Sequence, residues 1–290
     1  MNFIQLIRAG ILRLLGEESP AKSLTSLEER VYNYGERLIP GLTHNIDEEI
    51  RHRSSYLFFR TLIEKDLASF PHASEGRHIS ILDLGCGTGH GSYSLASIPG
   101  VDITAIDISD ESISLAKEKY AAKNISYKVL DIKTLIADMP AYDYIVSRHA
   151  IEHVPDGLNL CLSLKWRQRM IINVPYKEPP GNEFHVVTDI TSKSFSAYKN
   201  TEYFYEDLAG VTYCDELHAN LNSILCVSSN ESLPRANDQL IFPFPAWEPG
   251  ELQVLRYRTL NLESRLAQLE ARVEAMPSVR IRRKIRQILQ

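Results

Sequence analysis

The segment Ile81-Leu82-Asp83-Leu84-Gly85-Cys86-Gly87-Thr88-Gly89-His90-Gly91 has the residue types and spacing to hold a ligand. It follows a short apolar run and opens an amphipathic stretch, so a strand, a tight loop and a helix N-terminus are expected in that order. Gly85, Gly87 and Gly89 let the backbone turn sharply and approach a bound molecule closely. The helix start then offers N–H groups to an anionic end. The spacing is GxGxG. His90 stands where a dinucleotide fingerprint needs its last glycine, which favours a ligand carrying a carboxylate over one carrying a pyrophosphate. Asp107 ends the next apolar run, about 20 residues beyond the glycines, where a carboxylate accepts hydrogen bonds from ribose hydroxyls. Asp131 ends the run after that and can accept from an adenine amino group. In this order, at strand ends, the three features specify a nucleoside-containing ligand.

These groups need a sheet to align them. Residues 79–84, 101–108, 125–130, 142–147 and 170–174 read as short strands. Helical stretches near 90–97, 110–122 and 156–166 separate several of them, the pattern of parallel βαβ units. Residues 222–228 read as a late, antiparallel strand. Upstream, a long helical pattern runs from Asp47 through Phe70 and stops at Pro71. The chain divides into a helical cap (1–75), an α/β core (76–229), a proline-rich linker or extended wrap (230–250), a heptad segment (251–277) and a basic amphipathic helix (278–290).

Composition narrows the function classes. The 290 residues are 44% hydrophobic and 24% charged, as in an ordinary folded protein. No run of 18 apolar residues exists, so no transmembrane helix is expected. The net charge of −5 is split unevenly: the stretch from Glu251 onward holds nine Lys/Arg against four Glu, leaving an acidic body. An acidic body opposes binding to a phosphate backbone, so no nucleic-acid partner is expected. Cys86, Cys161, Cys214 and Cys226 form no CxxC pair and fit no zinc spacing, so a reducing, cytoplasmic setting is expected; no His or carboxylate spacing along the chain marks a metal site either, so no metal is expected. The first 16 residues have helical apolar spacing broken by Arg8 and Arg13. They are expected to form an amphipathic helix, with no signal peptide.

The run 81–91, with Asp107, Asp131 and the segment Tyr142 to Val154, resembles class I S-adenosylmethionine-dependent methyltransferases over about residues 30 to 228. The resemblance implies a Rossmann-like, seven-stranded methyltransferase sheet whose last strand is antiparallel. It implies S-adenosylmethionine as cofactor. Asp83, Gly85, Gly87 and Gly89 would border its methionine part, Asp107 with Ile108 its ribose, and Asp131 with Ile132 its adenine. Glu36 to Gly41 and Asn182 to Val186 further resemble methyltransferases of bacterial surface-polysaccharide synthesis. In that group a helix bearing Arg and Tyr precedes the first strand, for which Arg51, His52, Arg53 and Tyr56 are candidates; Arg53 is taken as the cofactor contact. Residues 165–169 depart from the group's glycine-rich turn, and His149 stands where a Glu is usual. The acceptor implied is a hydroxyl of a glycan or glycolipid. Alkylating a hydroxyl requires removal of its proton, work for a histidine or carboxylate. His153 and His185 lead the candidates, with His149 and Glu152 behind them. Asn173-Val174-Pro175-Tyr176 is read as a structural turn.

Leu252, Leu255, Thr259, Leu262, Leu266, Leu269, Val273 and Met276 alternate spacings of three and four, the a and d positions of a coiled coil. Residues at g (Glu251, Arg258, Arg265) face oppositely charged residues at e (Arg256, Glu263, Glu270) only if the helices run parallel. A parallel dimer or trimer is expected. Light scattering should give a dimer or trimer for the full chain and a monomer for a chain ended before Gly250; a monomeric full chain at micromolar concentration would overturn it. Arg280, Arg282, Arg283, Lys284 and Arg286 beside Ile281, Ile285, Ile288 and Leu289 suit peripheral contact with an anionic membrane face.

Overall fold

The computed structural model describes residues 25–33, 37–40, 46–69 and 78–246. The N-terminal amphipathic segment, the heptads and the basic terminal segment lie outside the described residues.

Five strands supply the parallel part of the sheet: β1 (Ile79–Leu84), β2 (Val101–Asp107), β3 (Ile125–Val129), β4 (Tyr142–Arg148) and β5 (Trp166–Pro175). β1 lies between β2 and β4, β3 flanks β2, and β5 flanks β4, all parallel. The central strands are buried on both faces, which is why they read as continuous apolar runs. The chain then adds β6 (Thr201–Asp207), the two-residue β7 (Thr212–Tyr213) and β8 (Leu221–Ser229). β8 inserts antiparallel between β5 and β6, giving the order β3-β2-β1-β4-β5-β8-β6-β7. The sheet therefore has eight strands, where seven are expected from sequence. The eighth is β7, which only extends the edge through two residue pairs with β6.

Helices cover both faces. α1 (Ser26–Asn33) rests near α4 (Asp110–Lys119), where Lys119 pairs with the carboxylate of Glu28. α2 (Ile46–Ser69) buries Tyr56, Phe58, Phe59, Leu62 and Ile63 against the sheet. α3 (His90–Leu95) packs close to α2, because a Cβ on Gly91 would lie 2.0 Å from the Tyr56 ring. The opposite face is closed by α5 (Ile132–Ala137) and α6 (Gly157–Cys161), where Leu135 and Cys161 join Ile145, Ile172 and Ile224. α6 stops well short of Trp166, the end expected from sequence, because Trp166 already opens β5.

Beyond β8 the chain wraps the body as far as Ala246. α7 (Ala236–Gln239) buries Ala236, and Phe244 pairs with Thr212 through two backbone hydrogen bonds of 2.8 and 3.1 Å while its ring meets Phe58. Phe244 and Ala246 are 5% and 2% exposed, so this stretch is an extended wrap through Ala246 and not a free linker.

One charged group joins these layers. Arg169, fully buried in β5, donates to both carboxylate oxygens of Asp66 at 2.7 and 2.8 Å and to the Pro234 carbonyl at 2.7 Å, and it also reaches Ser229. Gln239 donates to Asp66 at 2.8 Å. α2, β5, β8 and the wrap thus meet at a single guanidinium.

Candidate cofactor and acceptor site

The C-terminal ends of β1, β2, β4 and β5 open into a cavity of about 1180 Å³. Ligands bind at this edge of an open parallel sheet. The loop after β1 forms one wall. Gly85 and Cys86 both donate to the Ile106 carbonyl at 2.9 Å, which fixes the loop against β2. Gly87 has φ +51°, and a Cβ there would meet nothing within 4 Å, so its bare backbone faces the open cavity. Gly89 lies behind this wall, left-handed at φ +83°, as the N-cap of α3. His90 enters α3 and packs on His52 and Tyr120, where burial pushes its pKa down to about 4.

Asp83 does not reach the cavity. It is fully buried beneath the loop, accepting from Tyr56 at 3.0 and 3.2 Å and from Ser92 at 2.6 Å. Burial raises its pKa to about 6 against these hydrogen bonds. The expectation that it borders the ligand is corrected: it positions the loop by tying β1 to α2 and α3. Arg53 is corrected too. Its guanidinium turns back along α2 to Glu49, at 2.9 and 3.1 Å, and lines no part of the cavity.

Asp107 and Ile108 do line it. One Asp107 carboxylate oxygen accepts from Gly87 N–H and the other from Ser109 N–H, both at 2.9 Å. Each oxygen keeps a further lone pair, and Arg37 stands 4.0 Å away. Ile108 is 67% exposed at this wall, an apolar surface suited to a flat base. Asp131 caps α5 through one oxygen, accepting from Lys133 N–H at 2.7 Å, and Ile132 lies beside it on the cavity wall.

The far wall comes from the turn after β4 and the loop after β5. His149 has φ +45° and contacts Ser223 at 2.8 Å; burial holds its pKa well below the ordinary histidine value. Glu152 is wholly buried, with His149 Nδ1 at 3.7 Å. His153 and His185, separated by 31 intervening residues, come together with ring centroids 4.7 Å apart, both on the cavity wall. His185 Nδ1 pairs with Glu178. Residues 173–175, read from sequence as part of a turn, instead finish β5; Asn173 donates to Ser55 at 3.1 Å and Tyr176 reaches the cavity.

Sequence reasoning assigned no role to Arg37, Glu48 or Arg148, which also line the cavity. Arg148 donates to Glu48 at 3.0 Å and to Ser55 at 3.1 Å. Burial alone would raise the Glu48 pKa, but Arg148 and its neighbours hold it down to about 2. Ser55 also donates to Glu206 at 2.8 Å, whose pKa burial raises to about 7. The signal was present for Arg37 and Arg148, since both lie inside segments that carry the family resemblance.

An α/β sheet of this order with carboxylates at the ends of β2 and β3 defines a Rossmann-like nucleoside-binding fold. Residues 81–165 match the family model described as a methyltransferase domain. The match covers the glycine loop and the ends of β2 and β4, and it agrees with the S-adenosylmethionine site that the sequence resemblance implies. Curated relatives include malonyl-[acyl-carrier protein] O-methyltransferase of Bacillus cytotoxicus, 36% identical over 84 residues, covering 29% of each chain. Ubiquinone biosynthesis O-methyltransferase of Nitrosomonas europaea is 32% identical over 87 residues, 29% of this chain and 37% of the relative. The chain thus spans about a third of the length of such relatives. Among solved structures, N-methyltransferase NodS from Bradyrhizobium japonicum, in complex with S-adenosyl-L-homocysteine, is 18% identical, covers 72% of this chain and 98% of that one, and has a TM-score of 0.48.

The residues present fit this cofactor. The bare Gly87 backbone borders the cavity, Asp107 keeps acceptor capacity for vicinal hydroxyls, and Ile108 with Ile132 offers apolar surface beside the Asp131 carboxylate. Gly85 and Gly87 would border the methionine part, Asp107 the ribose and Asp131 the adenine. Among the described residues, no helix is long and apolar enough to cross a membrane.

Proposed function

We propose that this protein methylates a sugar hydroxyl in a glycan or glycolipid. S-adenosylmethionine supplies an electrophilic methyl group on a sulfonium; everything else is positioning and proton removal by the chain. The observation that carries the reading is the character of the far wall. His149, His153, Asn182, His185 and Asn222 offer hydrogen-bonding groups beside the aromatic faces of Tyr176 and Phe184. Polar groups interleaved with rings suit a carbohydrate, whereas a quinone or fatty chain asks for a continuous apolar wall. His153 Nδ1 is occupied by the Phe184 carbonyl at 2.9 Å, so any proton it takes would go to Nε2.

The curated relatives support a second reading, O-methylation of another small molecule, but their matched stretches cover only 29% of the chain. A third reading is a noncatalytic cofactor-binding scaffold oligomerised by the heptads. In each reading we take residues 76–229 as the cofactor-binding methyltransferase core, the heptads as a parallel self-association device, and the basic terminal segment as a peripheral membrane contact at the cytoplasmic face.

The experiment is an assay of the full chain with methyl-labelled S-adenosylmethionine against polysaccharide fragments, phenols and acyl carboxylates. Label in an alkali-stable ether on the glycan is the expected result. Label only on phenols, or only as an alkali-labile ester, would replace the acceptor. Cofactor binding without turnover on any of them would favour the scaffold.

A further inference from the structure

We propose that Glu152, His153 and His185 bind one divalent transition-metal ion at the acceptor end of the cavity. One ligand atom from each lies within 4.8 Å of those of the other two. The three come from separate segments that are locked together. Glu152 and His153 sit on the 3-10 turn Ile151–His153 that follows β4, and His185 lies in the loop after β5. Val186 and Val187 N–H both donate to the Glu152 carbonyl, at 2.9 and 3.0 Å, so the loop is pinned to the turn just beyond His185.

The imidazole hydrogen bonds point the same way. The Phe184 carbonyl only accepts, so His153 Nδ1 at 2.9 Å must be the donor, and the lone pair sits on Nε2. His185 Nδ1 faces the Glu178 carboxylate, which sets the same polarity. A ring whose Nδ1–H is held by a carbonyl or carboxylate, leaving Nε2 as the basic atom, is the usual arrangement of a metal-bound histidine. Here two adjacent rings have it, with centroids 4.7 Å apart beside a carboxylate that is 0% exposed.

Two imidazoles and one carboxylate suit Zn²⁺, Mn²⁺ or Co²⁺, whereas Mg²⁺ prefers an all-oxygen shell. Three protein ligands leave positions open to the cavity. An acceptor hydroxyl held there would be acidified, releasing its proton to water as its oxygen bonds to the methyl carbon and the carbon–sulfur bond breaks. His153 and His185 would then be ligands, with no need for either to act as the base. That role for the ion rests on the methyl-transfer reading; binding of the ion does not.

The test is calorimetry on the full chain, stripped with a chelator and titrated with Mn²⁺ and, separately, Zn²⁺. One ion per chain is expected, with binding lost in Glu152→Gln and in His185→Ala. Glu178→Gln, which removes only the charge behind His185, should weaken it roughly 10–100-fold. Titration with S-adenosylhomocysteine on the same stripped sample reads the cofactor site separately. If the chain binds S-adenosylhomocysteine but takes up no stoichiometric ion, the metal site is overturned and the methyl-transfer reading stands. If it binds the ion but no S-adenosylhomocysteine, the opposite holds. Should Glu152→Gln fail to fold, His185→Ala decides alone, and ion uptake unchanged in that variant overturns the site.

Discussion

Exchanging Arg169 for methionine should destabilise the protein by about 3–5 kcal/mol, the usual result of removing one partner of a buried ion pair. The Asp66 carboxylate, 1% exposed, would lose two hydrogen bonds and the guanidinium that makes them at once. What remains around it, Gln239 at 2.8 Å and Tyr144 at 3.4 Å, carries no charge. The Pro234 carbonyl would lose its donor as well, loosening the start of the wrap. The melting temperature should fall by roughly 10 °C or more. The pair itself need not be a net stabiliser, because desolvating both charges offsets much of their attraction. The double variant Asp66→Leu with Arg169→Met should therefore regain most of the loss. A single variant melting within about 2 °C of the parent would show that Asp66 is relieved by some other route.

Arg169 also shows where a sequence misleads. The central parallel strands β1 and β4 are legible because they are buried on both faces, whereas β3 at the edge exposes Ser126, Lys128 and Val129. β5 breaks that rule at its start: Trp166-Arg167-Gln168-Arg169 has the polarity of a turn. Its arginine is tolerated inside because Asp66, over a hundred residues earlier, neutralises it, and no local pattern reports such a partner. β6, Thr201-Glu202-Tyr203-Phe204-Tyr205-Glu206-Asp207, has neither a continuous apolar run nor clean alternation to mark it, and β7 is too short to have a period.

The candidate site divides in the same way. Asp107 and Asp131 stand at strand ends, and the fold puts both on the cavity wall. Asp83 sits on the same motif, yet its strand position turns it inward to Tyr56, and spacing alone does not separate the two outcomes. Arg53 was chosen from the right helix and the wrong face, since the guanidinium follows the i−4 direction to Glu49. His153 and His185 were each placed at the acceptor edge, but their contact depends on a loop folding back over the turn. That closure is a tertiary fact.

Asp107→Ala should weaken S-adenosylhomocysteine binding about 10–100-fold, or ~1.5–3 kcal/mol, the range for a lost hydrogen bond to a charged acceptor. The structure supports the upper part of that range, because the carboxylate acts twice. It would accept from ribose hydroxyls, and it already holds Gly87 N–H and Ser109 N–H at 2.9 Å on separate oxygens. Removing it therefore frees the loop that borders the methionine end while deleting the ribose contact. Asp107→Asn separates the two effects. The amide retains one acceptor oxygen, so one of the two backbone N–H groups must lose its partner while the side-chain volume is kept. A loss intermediate between parent and alanine is expected, with part of it in the dissociation rate as the loop loosens. Global stability should change little, since the carboxylate is at the cavity and water can replace it on both N–H groups. Calorimetry on variants with parental melting temperatures gives the readout. Unchanged affinity in a folded Asp107→Ala protein would move the ribose contact away from β2. The ribose contact would then have to be sought at Arg37, which stands 4.0 Å from the same carboxylate.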